Sequence, residues 1–160
     1  MDTGPEPDPM DRYSHPIETK NTKLTRIFIF ERREKSEKPG RSLVVVWDER
    51  FPIIKGFIPH YSYVVKFKKA GNFAGDHYHE VKRELIIPLA GRFEILLENI
   101  KSKVWENIMI DADDSQSKTV YVPPQISHTV IAQTDGAILL VLATSPNTQN
   151  DEFRYEVRRS

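Results

Sequence analysis

The residues with strand character come in short runs, and turn signals cut between them. Leu24–Phe30 (LTRIFIF), 42–47 (SLVVVW), 60–68 (HYSYVVKFK), 92–99 (RFEILLEN) and 103–110 (KVWENIMI) are rich in β-branched and aromatic residues. So are 118–122 (KTVYV), 127–132 (SHTVIA) and 136–144 (GAILLVLAT). In 60–68, Tyr63, Val65 and Phe67 alternate with Ser62, Val64 and Lys66, the period-2 pattern of a half-buried strand. Phe93, Ile95 and Leu97 share one face of the next run. The run 136–144 is apolar throughout, which predicts cover on both faces. Pro39-Gly40, Pro52, Gly56, Pro59 and Pro123-Pro124 interrupt the sequence as turns and loops. No stretch keeps a helical period over the length a stable helix needs. About nine or ten short strands are expected, in an all-β sandwich or barrel. The C-terminal NDEFRYEVRRS is expected as an edge strand or a short helix.

The 160 residues suit one domain with a sizeable core. Residues 1–22 carry Pro5, Pro7, Pro9, Pro16 and His15 among charges, with few apolar groups. They read as a flexible Pro-rich tail, with the folded domain over 23–160. Charged residues make up 29% of the chain and balance to zero. That balance argues against a general nucleic-acid or acidic-membrane binder, which would carry a basic excess. There is no cysteine, so thiolate ligands, thiol nucleophiles and disulfides are excluded. The start MDTGPEPDPMDR has neither the basic opening nor the apolar run of a signal peptide. The apolar run 137–143 is too short to span a bilayer. A cytoplasmic setting is the expectation.

One stretch carries candidate chemistry: residues 71–91, GNFAGDHYHEVKRELIIPLAG. On a strand, residues two apart face the same way, so His77 and His79 can aim two imidazoles at one point. Glu84 can reach that point from the next strand, after a short turn. Two imidazoles and a carboxylate suit Zn²⁺ or a transition metal. His128 follows VPPQIS at the start of a strand and is a fourth candidate ligand. The acidic run DADDSQS (111–117) lacks the spaced loop and closing glutamate of a Ca²⁺ site.

These residues resemble the cupin motifs. The first motif is a glycine, five residues, His-x-His, four residues, Glu, six residues and a glycine. Gly71, His77, His79, Glu84 and Gly91 match it throughout. The second motif is kept at Pro123 and His128, while Ser117, Gln125 and Ala132 stand where it has Gly, Gly and Asn. The resemblance covers about 42–157 and implies a double-stranded β-helix, the cupin or jelly-roll barrel. It also implies one divalent ion (Zn, Fe, Mn, Ni or Co) on His77, His79, Glu84 and His128. More finely, Gly75, His77, Tyr78, His79, Lys82 and Glu84 resemble the C-terminal cupin of capsular-polysaccharide reductase/epimerase proteins. The end, ILLVLATSPNTQNDEFRYEV, is similar to that of nucleotide-linked keto-sugar ketoisomerases; Ala74 replaces the arginine those carry before the His-x-His.

This resemblance implies an isomerase or epimerase acting on a nucleotide-linked keto-sugar. Such chemistry moves a proton α to a carbonyl and needs an acid/base group and enolate stabilisation. His60 and Tyr63, on the neighbouring strand, are the candidate acid/base residues. His77 or His79 takes that role only where no metal holds it. Arg41, Lys66 and Arg92 are candidate phosphate contacts. An Fe²⁺-dependent dioxygenase and a non-enzymatic small-ligand binder are the alternatives. A homodimer is expected, paired through the aromatic strand around Phe28 and Phe30 if its edge is free.

Overall fold

A computed structural model describes Gly4, Glu6 and residues 8–34 and 39–160. The described residues form thirteen strands. They are β1 (Glu18–Asn21), β2 (Arg26–Glu31), β3 (Arg33–Glu34), β4 (Ser42–Leu43), β5 (Tyr61–Phe67), β6 (Phe73–Tyr78) and β7 (Glu84–Ala90). Then follow β8 (Arg92–Asn99), β9 (Trp105–Asp111), β10 (Gln116–Val122), β11 (Ile126–Ala132), β12 (Ala137–Ala143) and β13 (Phe153–Arg154). Two 3-10 turns, Pro9–Ser14 and Gln149–Asp151, complete the inventory. One sheet has the order β1-β2-β10-β7-β12-β5 and the other β13-β6-β11-β8-β9; β3 and β4 pair separately. All pairings are antiparallel. This is the expected double-stranded β-helix of the cupin fold. Among the described residues, no helix is long and apolar enough to cross a membrane.

The main core lies between the two sheets. Ile27 and Ile29 of β2, Ile86 of β7 and Leu139 of β12 meet Phe93, Ile95 and Leu97 of β8 there. Phe67 packs edge-on to Phe93 at 5.6 Å and fills one end of the barrel. A second apolar layer covers the outer face of the six-stranded sheet. Phe28, Phe30, Leu85, Ile87, Tyr121 and Leu142 face Ile54 and Phe57 of the 44–58 loop. Strands β2, β7 and β12 are thus apolar on both faces, which explains why their sequences lack clean alternation.

The loop corrects one expectation. Residues 42–47 were expected as a buried strand, but only Ser42–Leu43 is strand, and it is exposed. Val44, Val46 and Trp47 pack on the outer layer instead, with Trp47 5.4 Å from Phe57. Their apolar character serves cover rather than pairing. The expected free edge at Phe28 and Phe30 is also absent. Strand β2 lies between β1 and β10, and both phenylalanines are buried. Its pairing partner β1 comes from 1–22, the stretch read as tail. Tyr13 and Ser14 from the same stretch are buried, and the Ser14 hydroxyl donates to Asp48 at 2.7 Å. Residues 1–3, 5 and 7 of that stretch, and 35–38 of the charged connection, lie outside the described residues.

A bulge in β6 prepares the site. Gly75 pairs with Thr129 and His77 with His128, so Asp76 is an extra residue on β6. Asp76 has φ 58°. Its conformation is held on several sides. Its N–H donates to the Thr129 hydroxyl at 3.1 Å, which donates in turn to its carboxylate at 2.6 Å. The Val157 N–H (3.0 Å) and both terminal nitrogens of Arg159 (2.9 and 2.8 Å) also reach that carboxylate. Burial opposes the charge, but these bonds outweigh it and hold the carboxyl down at about 2. The C-terminal segment is pinned to β6 in this way.

Gly75 lets the two strands approach at the bulge. A Cβ there would lie 2.3 Å from the His128 carbonyl oxygen and 2.8 Å from the Thr129 Cα, at a φ of 124°. Both neighbours are backbone and cannot swing away. Gly71 also has positive φ (91°), but open space surrounds it. Gly75→Ala is therefore expected to cost about 3 kcal/mol or more in urea denaturation, and Gly71→Ala about 1 kcal/mol. Equal costs at the two glycines would remove the close-approach explanation.

Candidate active site

The end of the barrel opposite Phe67 and Phe93 is polar. His77 leaves β6 beside the bulge and faces its register partner His128 of β11. Their rings meet edge-on at 4.7 Å. His79 follows the end of β6, with its ring 5.0 Å from His77 and 5.6 Å from His128. Glu84 opens β7 and is 2% exposed. One ligand atom from each of these four residues lies within 4.8 Å of all the others. The structure thus brings together the four residues read from the motif spacing.

Hydrogen bonding orients the imidazoles. His79 Nδ1 lies 2.5 Å from the Asp151 carbonyl oxygen, and His128 Nδ1 lies 3.2 Å from that of Ile126. A carbonyl only accepts, so each Nδ1 carries its proton. The Nε2 atoms then aim at Glu84 Oε1, at 3.0 Å from His79 and 3.2 Å from His128. An Nε2 that also carries a proton donates to that oxygen; where it carries none, a shared cation must stand between the facing lone pairs. The donor set of three nitrogens and one oxygen fits a divalent transition metal or Zn²⁺. The carbonyl partners are those expected behind metal-holding histidines.

The electrostatics follow from burial. Desolvation opposes the charge on Glu84, but hydrogen bonds from His128 and His79 outweigh it and hold the carboxyl well below the usual range. Burial, with the His128 and His79 rings alongside, lowers His77 to about 3, so its imidazole is neutral near pH 7. Tyr63 of β5 donates to Glu84 Oε2 at 2.9 Å. Burial and the adjacent Glu84 charge push its phenol far up, so it keeps its proton.

A cavity of about 220 Å³ opens over this group. Tyr63, His77, Glu84, His128, Asn147 and Glu152 line its polar side. Val65, Ile86, Val130, Leu139 and Val141 line the apolar side. His60 is not part of it. It precedes β5, is exposed, and its N–H donates to the Ile58 carbonyl. Arg41, Lys66 and Arg92 are exposed and do not line the cavity; Lys66 sits on the outer face of β5. Sequence reasoning missed Asn147, Asp151 and Glu152. Their only signal was a polar cluster directly after the last core strand, which reads equally well as a turn. Lys82, 3% exposed, donates to the Asn147 side chain.

Comparison with known proteins is consistent with this geometry. No curated protein matches the sequence. Among solved structures, an RmlC epimerase of Mycobacterium tuberculosis superposes with a TM-score of 0.72 at 14% identity, over 86% of this chain and 72% of that one. A 3,4-ketoisomerase from Helicobacter canadensis gives 0.67 at 20% identity, over 81% and 90%. A histidine-to-asparagine variant of the 3,4-ketoisomerase QdtA from Thermoanaerobacterium thermosaccharolyticum, in complex with TDP-4-keto-6-deoxyglucose, gives 0.67 at 19%, over 84% and 89%. These likenesses establish the fold. Residues 20–157 match the family described as FdtA: WxcM-like, C-terminal. The chain therefore belongs to the WxcM-like, C-terminal family, on a cupin barrel.

Proposed function

We propose that this chain is a cytoplasmic isomerase or epimerase acting on a nucleotide-linked keto-sugar. The observation that carries the reading is one small cavity lined by two imidazoles, a buried carboxylate and a protonated phenol, with a third imidazole, His79, against the carboxylate. The structural neighbours that act on keto-sugars share the barrel that supplies this cavity. Moving a proton α to a carbonyl needs an unprotonated base and a donor for the developing oxyanion. Tyr63 retains its proton beside Glu84 and is the donor once its single O–H turns from Glu84 to the substrate oxygen. His77 lines the cavity as a neutral imidazole and is the base when no metal holds it. For isomerisation its ring takes the proton from the α-carbon and delivers it to the former carbonyl carbon, while the α-hydroxyl proton passes to the former carbonyl oxygen. Epimerisation instead needs a second acid that returns a proton to the opposite face of the α-carbon.

His77, His79, Glu84 and His128 would hold a divalent ion. When bound, that ion supplies Lewis-acid stabilisation of charge on a carbonyl oxygen. A coordinated imidazole cannot accept a proton, so metal content decides whether His77 is base or ligand. The same donor set with Fe²⁺ supports the oxygenase alternative. A homodimer is also proposed. Among the described residues β1, not β2, ends the six-stranded sheet on that side and is exposed along its length, so β1 is the edge proposed for pairing. A single-chain mass by size-exclusion chromatography with light scattering would rule out the dimer.

Three measurements test the site. Metal analysis of the purified protein is expected to find about one divalent ion per chain, and His128→Ala is expected to lose it. Unchanged content in that variant would overturn the ligand set; iron with O₂ uptake would favour the oxygenase.

Incubation with a dTDP- or UDP-linked keto-sugar in D₂O is expected to exchange the hydrogen α to the carbonyl. Tyr63→Phe should lower the rate about 100-fold or more. No exchange with any such sugar would remove the isomerase reading.

In the metal-free protein, His77 binds a proton near pH 6.5 when unfolded and near pH 3 when folded. The unfolded state holds more protons in that window, so stability falls as pH drops through it. After allowance for solvent screening, a loss of about 1–2 kcal/mol is expected between pH 7 and pH 5, and His77→Gln should remove it. A pH-independent urea midpoint over that range would contradict the buried neutral imidazole.

A further inference from the structure

We infer that residues 147–152 are a positioning strap for the site, with Asp151 as its key and His79 as the group it sets. The segment follows the last core strand and crosses the open side of the barrel. Three of its residues each stand behind a different site group. The Asp151 carbonyl holds His79 Nδ1 at 2.5 Å. Glu152 Oε1 lies 3.5 Å from His77 Nδ1. Asn147 lines the cavity with Tyr63 and accepts from the buried Lys82 ammonium.

Asp151 also fastens the strap. Its carboxylate accepts the N–H groups of Glu80 and Lys82 at 2.8 Å each and that of Val81 at 3.3 Å. These are the residues of the turn that carries the chain from His79 to Glu84. One side chain thus clamps the turn that joins two site residues, while its own carbonyl fixes the ring of the first. Three backbone donors on one carboxylate make a specific dock, and the N–H of buried Lys82 carries a desolvation cost if left unpaired. The tautomer of a histidine is set by the bond its other nitrogen makes. Docking of the strap and aiming of His79 Nε2 at Glu84 are therefore one event. Asp151 acts through His79 and is not among the residues that line the cavity.

The inference rests on the proposed site for its metal readout only; its first readout needs neither metal nor substrate. Long-range ¹H–¹⁵N correlation spectra of metal-free protein at pH 8 report which nitrogen of each imidazole holds the proton. His79, assigned by its loss in His79→Gln, is expected to show a protonated Nδ1 as one state. In Asp151→Ala the proton is expected to move toward Nε2 or to average over both nitrogens. Co²⁺ affinity, followed by its visible absorption, is expected to fall tenfold or more. Asp151→Asn keeps an oxygen acceptor and should lie between the two.

Should Asp151→Ala fail to fold, Asp151→Asn carries the same readouts at His79, and Glu152→Gln carries them at His77. If the wild-type protein takes up no Co²⁺, the proton position alone decides. An unchanged His79 signal with Co²⁺ affinity within twofold of wild type would overturn the inference. A lowered melting temperature with the histidine state unchanged would overturn it equally, since it would leave the strap a purely structural role. Absence of keto-sugar turnover would count against the proposed function and leave these readouts untouched.

Discussion

The buried carboxylate of Glu84 is the constraint from which the rest of the site follows. At 2% exposure its charge has lost nearly all of its water. An uncompensated charge in such a place costs far more than a small domain's net stability, so it must be met by donors or a cation. The chain supplies them from four directions. His79 arrives from the end of β6, His128 from β11, Tyr63 from β5, and Lys82 lies two residues before it. Each donor must then be aimed. The carbonyls of Asp151 and Ile126 aim the two histidines; the strap carries the first, and β11, paired there with β8, carries the second.

The barrel carries this cost because its frame is stiff. Strands β2, β7 and β12 are buried on both faces, between the central core and the 44–58 loop. Strands packed on two sides cannot slip register without breaking the packing of both apolar layers. Glu84 therefore starts β7 at a fixed height, opposite Ala143 and Val122. The bulge at Asp76 stores local strain of about 1–3 kcal/mol, offset by the hydrogen bonds that Thr129, Val157 and Arg159 make to that residue. The close pairing at Gly75 and the extra residue at Asp76 bring His77 level with His128.

Much of the frame and most of the ligand set were legible in the sequence, because both are written in short-range patterns. Alternation marked β5 and β8, and turn residues marked the ends of most strands. The spacing of His77, His79 and Glu84, with His128 past a Pro-Pro turn, picked out the four groups that converge. What was hidden depends on partners distant in sequence. Val44, Val46 and Trp47 look like a strand because the pattern reports burial, not pairing. The edge of β2 is taken by residues 18–21, which have a polar composition and pair through backbone alone. His60 and Tyr63 are equally plausible on paper, yet strand direction puts Tyr63 inside while His60 stops short of the sheet. Asp151 was invisible for a similar reason. Its bonds are to backbone N–H groups, which every residue but proline has.

The cavity's size and lining together constrain how a nucleotide-linked sugar would sit. Its volume of about 220 Å³ is below the ~300–1,000 Å³ of pockets that enclose whole drug-sized ligands. That volume suits one sugar-sized group. The lining carries two carboxylates, Glu84 and Glu152, and a neutral His77. Lys82 is the nearby cation, and its ammonium is engaged by Asn147. Such a lining does not draw in a diphosphate, and it does accept hydroxyl and carbonyl groups on one side and carbon-bound hydrogens on the apolar side. The sugar ring would then enter alone, with its reacting carbons against Tyr63 and His77, and the charged half would stay at the rim in water. Discrimination between sugars would fall to the fit of one ring against a fixed set of donors, where one misplaced hydroxyl leaves a buried partner unpaired.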